Sequence, residues 1–158
     1  MWPDYNRAMS PQASVRSVET DADLRAALTL RFAVFVGEQS VPQELEHDAA
    51  DADAAHVIAE LGGAVIGTGR LVEVDGNALL GRIAVLPSHR RQGVASLLIA
   101  ALEREAQRRG FSEVSLHAQT YVQELYTKNG YAVFGAPFVE AGIDHVSMIK
   151  SLSYSSGS

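Results

Sequence analysis

The stretch RIAVLPSHRRQGVASLLIAALEREAQRRG, residues 82–110, decides the fold. It starts as a short apolar strand, turns at Pro87, gathers His89, Arg90 and Arg91, and enters a periodic helix through Gly93. Such a junction is an anion cradle. The first amides of a helix have no intrahelical partner, and the helix dipole adds roughly 0.3–1 kcal/mol for a negative charge placed there. Amides from Gln92 through Val94 to Ala95 can form a nest around phosphate oxygens, and the small side chain of Ala95 permits close approach. Val94, Leu97, Leu98, Ala101 and Leu102 share one helical face, while Arg108 and Arg109 complement the C-terminal dipole before Gly110 ends the helix. Read alone, the loop is equally a basic turn capping a core helix.

Working outward, Val114 to Ala118 reads as a strand and Tyr121 to Asn129 as a short helix closed by Gly130. Tyr131 to Phe134 and His145 to Ile149 read as two final strands. Upstream, runs from His56 to Leu61, Ala64 to Val74 and Leu79 to Leu86 are separated by Gly62-Gly63 and Asp75-Gly76-Asn77, the signature of an antiparallel meander. Gly67 and Gly69 lie inside a strand pattern, so they mark a bulge or a close backbone approach rather than a dinucleotide loop. Residues 14–18 form a first strand. Thr20 with Asp23 resembles a capping box opening a helix whose Leu24, Leu28, Phe32 and Phe35 share a face, with Gly37 interrupting it. The order β-α-β-β-β-α-β-α-β-β predicts an α/β (α+β) fold with a mixed, mostly antiparallel sheet and helices on its faces.

At 158 residues the chain reads as one domain, 14–150, between tails 1–13 and 151–158. The net charge of −6 argues against general nucleic-acid binding, and no apolar run is long enough for a membrane span. No signal peptide is legible at the start, so the expectation is a cytoplasmic protein. The absence of cysteine excludes disulfides, thiolate metal sites and a cysteine nucleophile. Residues 37–55 carry Pro42 and the acids Glu38, Glu44, Glu46, Asp48, Asp51 and Asp53. They lack EF-hand spacing, and no metal is expected. Either they form a solvated acidic loop or they border the site of a positively charged amine.

The motif Arg90-Arg91-Gln92-Gly93-Val94-Ala95 resembles the R/Q-x-x-G-x-G/A loop of the GNAT superfamily of N-acetyltransferases. Residues 31–39 (RFAVFVGEQ), Asp48 and residues 140–145 (EAGIDH) are similar to its ElaA-like branch, and the likeness covers Val15 to Lys150. It implies a GNAT-type twisted sheet and acetyl-CoA as cosubstrate, its pyrophosphate held by residues 90–95. Ile83, Ala84 and Val85 would offer main-chain groups to the pantetheine arm and acetyl carbonyl, though they read equally as core strand.

Acetyl transfer needs an uncharged amine, a polarised thioester carbonyl and a proton for the departing thiolate. In QTYVQELYTKNGY, residues 119–131, the resemblance places Tyr126 where the family's general acid stands, with Gln119 replacing a usual Asn near the cofactor and Val122 a usual Ala. By residue pattern alone Tyr126 is a core tyrosine. Glu38, His145 and Glu140 are the candidate bases, and His117 and His145 could titrate near neutrality. The implied activity is acetyl transfer from acetyl-CoA directly to a primary amine of a small cationic acceptor or peptide. A non-catalytic acyl-CoA sensor would use the same loop, and a homodimer is compatible with the sequence but not specified by it.

Overall fold

The structure is a computed structural model that describes residues 12–41, 46 and 48–152. The tail residues 1–11 and 153–158, together with Pro42 and Glu44, lie outside the described residues. Seven strands form one sheet in the order β1-β2-β3-β4-β5-β7-β6. They are β1 (Ser14–Ser17), β2 (Ala55–Leu61), β3 (Ala64–Val74), β4 (Asn77–Val85), β5 (Glu113–Gln119), β6 (Ala132–Glu140) and β7 (Ile143–Ser151). The helices α1 (Asp21–Arg31), α2 (Val94–Arg108) and α3 (Gln123–Lys128) complete the order read from the sequence. Every neighbouring pair is antiparallel except β4 with β5, the pair that α2 connects.

The helices cover opposite faces because strand side chains alternate. On β3, a Cβ at Gly67 would meet Leu98 of α2 at 3.1 Å, and one at Gly69 would meet Leu102 at 3.0 Å. The glycines therefore let α2 seat against the strand. Thr68 and Arg70, one step out of phase, face α1. The main core lies under α2, where Leu98, Ile99 and Leu102 meet Leu71, Leu80, Val114, Leu116 and Met148. Burial of each such side chain contributes about 1.5–3 kcal/mol. A smaller cluster of Leu30, Val34 and Ala84 fixes α1 to the other face.

Several expectations need correction. Leu97 is 44% exposed, since the buried face of α2 runs through Val94, Leu98, Ile99, Leu102 and Ala106, and Leu97 projects from the opposite side. In α1 the buried positions are Ala27, Leu30 and Arg31, followed by Val34. Phe32 is exposed, and Leu24, Leu28 and Phe35 only flank the core. Gly37 does not interrupt the helix: after Arg31 the chain widens into a π-helical turn, Phe32–Glu38, closed by Gln39 N–H donating to Val34 O at 3.1 Å. Thr20 does cap α1, its Oγ1 accepting from Asp23 N–H at 3.0 Å. Strands β6 and β7 are longer than their apolar cores, because residues 141–142 turn one directly into the other. Strand β7 runs through Ser151, and Leu152 is buried, so the folded unit takes in two residues assigned to the tail.

Candidate active site

The parallel neighbours β4 and β5 pair only from Ala78 with Val114 to Leu80 with Leu116. Beyond that point β4 continues to Val85 and β5 to Gln119 without pairing, which leaves a wedge between them. The cause lies in β4. Thr68 faces Ala84 and Arg70 faces Gly81, so β4 carries one residue more than β3 over this interval. That bulge centres on Arg82, whose φ of 51° is left-handed. A bulge bends and over-twists its strand, here away from β5. The guanidinium of Arg82 donates to Glu46 O at 3.0 Å and to Asp48 at 3.3 Å, which holds the strained residue in place. Gly67 and Gly69 provide the close approach read from the sequence; β3 also bulges beside Gly67 against β2, and against β4 the extra residue sits in β4. Ile83, Ala84 and Val85 thus line the wedge, with Ala84 and Val85 buried.

The wedge leads to the loop before α2. Arg91 at φ 63° and Gly93 at φ 82° both adopt the left-handed conformation, and the helix begins with no side-chain cap on its first amides. A Cβ built at Gly93 meets nothing within 4 Å, so glycine serves the backbone conformation and an open approach to those amides. Uncapped amides in an open, left-handed loop fit a phosphate, which would supply the missing acceptors. Arg91 and Gln92 are exposed around it, while Val94 is buried and Ala95 half-buried. Arg90 points elsewhere: its Nε donates to Val85 O at 2.9 Å, and both terminal nitrogens donate to Glu38 at 2.7 Å. The hydrogen bonds from Arg90 hold the Glu38 carboxyl below its ordinary range.

Tyr126 lies on α3 and packs against the main core, edge-on to Tyr131 with centroids 6.0 Å apart. Burial pushes its hydroxyl up to about 12, so the phenol stays protonated at neutral pH. Its hydroxyl has no hydrogen-bond partner among the described residues.

On the face of the sheet away from α2, β5 presents His117 and Gln119. Gln119 stands opposite His145 of β7, which stands opposite Phe138 of β6. Gln119 donates to Gln39 at 3.4 Å, tying β5 to the end of the π-helical turn. His145 is buried, its Nδ1–H donates to Ile143 O at 2.7 Å, and its ring stacks on Phe138 at 5.7 Å. Phe138 also meets the His117 ring edge-on at 5.0 Å. Glu140, half-exposed, takes a hydrogen bond from His117 Nδ1 at 3.0 Å. The candidate bases therefore do not converge: Glu38 pairs with Arg90 of the loop before α2, and His145 and Glu140 lie on either side of Phe138.

Three of the six acids depart from a freely solvated loop, while Glu38 and Asp53 are exposed. Glu46 and Asp51 are buried, and with Asp48 they meet three arginines from α1, β3 and β4. Arg31 binds Glu46 at 2.7 Å and Asp51 at 2.8 Å, and Arg70 binds Asp48 at 2.7 Å and Asp51 at 2.8 Å. Arg82 reaches Glu46 and Asp48. Burial alone would raise the Asp51 carboxyl, but the hydrogen bonds and charge of Arg31 and Arg70 win and hold it well below the usual range. Three cations answer these three anions, so their charges are spent within the protein. Sequence reasoning missed this network, although arginines inside apolar strand and helix patterns were its signal. It also gave no place to Phe138, and placed Gln39 only within the 31–39 stretch. No group of three or more metal-ligating side chains is found among the described residues, nor any helix long and apolar enough to cross a membrane.

Residues 9–152 match the Acetyltransferase (GNAT) domain family. The chain is 39% identical over 133 residues to the uncharacterised N-acetyltransferase YjcF of Bacillus subtilis, covering 84% of this chain and 95% of that one. Among solved structures, an acyl-CoA N-acyltransferase from Pseudomonas aeruginosa is similar at 27% identity with a TM-score of 0.77, covering 89% of this chain and 99% of the other. Escherichia coli ElaA is similar at 25% identity with a TM-score of 0.76, covering 90% and 100%.

Proposed function

Because the chain belongs to the GNAT superfamily of acetyltransferases, in its ElaA-like branch, we propose that it carries an acetyl group from acetyl-CoA directly to a primary amine. The observation that carries this reading is the continuity of the open β4–β5 wedge with the uncapped N-terminus of α2. Acetyl-CoA would bring the thioester. Residues 91–95 would hold its pyrophosphate through main-chain amides, and the unpaired edge of β4 at Ile83, Ala84 and Val85 would bind the pantetheine arm and polarise the carbonyl. Arg90 serves as a strut between loop, strand and Glu38, and Gln119 as a bridge at the wedge mouth.

Tyr126 supports the reading as the leaving-group acid: it is held protonated, and its hydroxyl is uncommitted. Among the bases, the bidentate pairing of Glu38 with Arg90 makes it a poor proton acceptor, so the role passes to the Phe138 cluster containing His145 and Glu140. The absence of cysteine favours direct attack by the amine. With Glu46, Asp48 and Asp51 neutralised, the acceptor is proposed only as a primary amine, small or peptidic.

Two measurements test this. Acetyl-CoA at a hundredfold excess over its dissociation constant should add about 2.7 kcal/mol of thermal stability. Free thiol should appear when spermidine, glucosamine, lysine or a lysine peptide is added. Stabilisation without thiol release would point to an acyl-CoA sensor, and no stabilisation would overturn the cofactor assignment.

A further inference from the structure

We propose that His117 is the general base for the acceptor amine, with Glu140 as the residue that positions it; this rests on the transferase reading above. The hydrogen bond between His117 Nδ1 and Glu140 Oε1 is 3.0 Å long. A carboxylate oxygen only accepts, so Nδ1 carries the proton, and in the neutral imidazole Nε2 is left with its lone pair. Nε2 has no hydrogen-bond partner among the described residues, and the side chain is 45% exposed. The edge-on contact with Phe138 fixes the ring plane, and Phe138 is in turn stacked on His145.

Position argues for the role as strongly as tautomer. His117 is the residue directly after Leu116, the last of β5 to pair with β4, so it stands at the apex of the wedge. Its neighbours Leu116 and Ala118 point into the core beneath α2, so His117 points to the other face. The phosphate loop feeds the wedge from the α2 side. An amine entering the wedge from the opposite face would pass the side of β5 that carries His117.

The proton accounting closes. Nε2 of His117 takes a proton from the acceptor's ammonium group. The freed nitrogen lone pair forms the C–N bond to the acetyl carbon as the C–S bond breaks, and the Tyr126 hydroxyl gives its proton to the departing sulfur. The surplus proton on the new amide nitrogen returns to Tyr126 through solvent, and His117 loses its own to bulk water. This also explains why Glu140 looks like a base in the sequence while its carboxylate faces an imidazole.

The test combines kinetics, binding and nitrogen NMR on the whole chain, using the four amines named above. His117→Ala should lower kcat about 100-fold, the low end of general-base contributions, with acetyl-CoA Kd unchanged within about twofold. Glu140→Ala should lower kcat about tenfold by freeing the ring, and Glu140→Gln, which still accepts from Nδ1–H, should restore most of that loss. Long-range proton–nitrogen spectra should place the His117 proton on Nδ1 in wild type and Glu140→Gln, and no longer there alone in Glu140→Ala. An Nε2–H tautomer in the wild type, or His117→Ala turnover within about twofold of normal, overturns the base role while leaving the transferase reading intact. No thiol release by the wild type with any amine sinks the transferase reading, and the base role with it.

Discussion

Glu38 and Arg90, 52 residues apart in the chain, form a bidentate ion pair with both contacts at 2.7 Å. The pair joins the end of the π-helical turn to the loop that precedes α2. It also settles two charges that the sequence leaves available, one for base catalysis and one for phosphate. Both side chains are more than a third exposed, so the pair itself contributes at most about 1 kcal/mol of stability.

Glu38→Gln should therefore leave kcat within about fivefold of the wild type, since a paired carboxylate is not the proton acceptor, and should alter acetyl-CoA affinity more by loosening the loop. Steady-state kinetics and calorimetry separate the two. A loss of kcat approaching the hundredfold typical of a removed general base would return that role to Glu38.

Arg31→Met should destabilise the fold by about 3–5 kcal/mol. It removes the guanidinium shared by Glu46 and Asp51 and leaves buried carboxylates uncompensated. Denaturant melts read this directly, and a cost below about 1 kcal/mol would mean that Arg70 and Arg82 suffice.

The same network sets the acid limit of stability. Asp48 and Asp51 are both held below their ordinary value of 3.8, Asp48 by its hydrogen bonds from Arg70, Asp51 by the arginines prevailing over burial. A depressed carboxylate stabilises the native state fully above its unfolded value and loses that contribution as pH falls toward the folded one. Thermal stability should be level above about pH 5 and fall steeply below about pH 4. Asp51→Asn, less stable at neutral pH, should show a shallower acid slope; an unchanged slope would remove Asp51 as the cause.

Tyr126→Phe should lower kcat by at least about tenfold while leaving acetyl-CoA Kd within about twofold, because the ring still packs against the core and only the proton donor is lost. Equal turnover would make Tyr126 a packing residue.

Which parts were legible from residues alone follows from the range of the interactions. Element order, the two hairpins and the Gly93 junction rest on local chemistry: capping by Thr20, turn residues, and periodicity. The longest misreadings involve pairs distant in sequence. No periodicity in α1 reveals that Arg31 is buried, because its burial depends on Glu46 and Asp51 folding over it. Likewise the bulge at Arg82 appears only when β4 is counted against β3, and Glu140 shows its partner only when β5 and β6 flank β7. Leu97 falls within the broad apolar face that periodicity gives α2, whereas the packed face is set by which residues meet Gly67 and Gly69.

The uncapped start of α2 is proposed to hold the pyrophosphate of acetyl-CoA, and calorimetry of Gly93→Glu against Gly93→Ala puts this to the test. Space around Gly93 is open, so alanine should cost only about 1–2 kcal/mol of backbone strain and bind acetyl-CoA weakly to normally. Glutamate should fold as well as alanine yet place a carboxylate against those amides and abolish measurable acetyl-CoA binding. A folded Gly93→Glu protein with near-normal affinity would contradict the assignment.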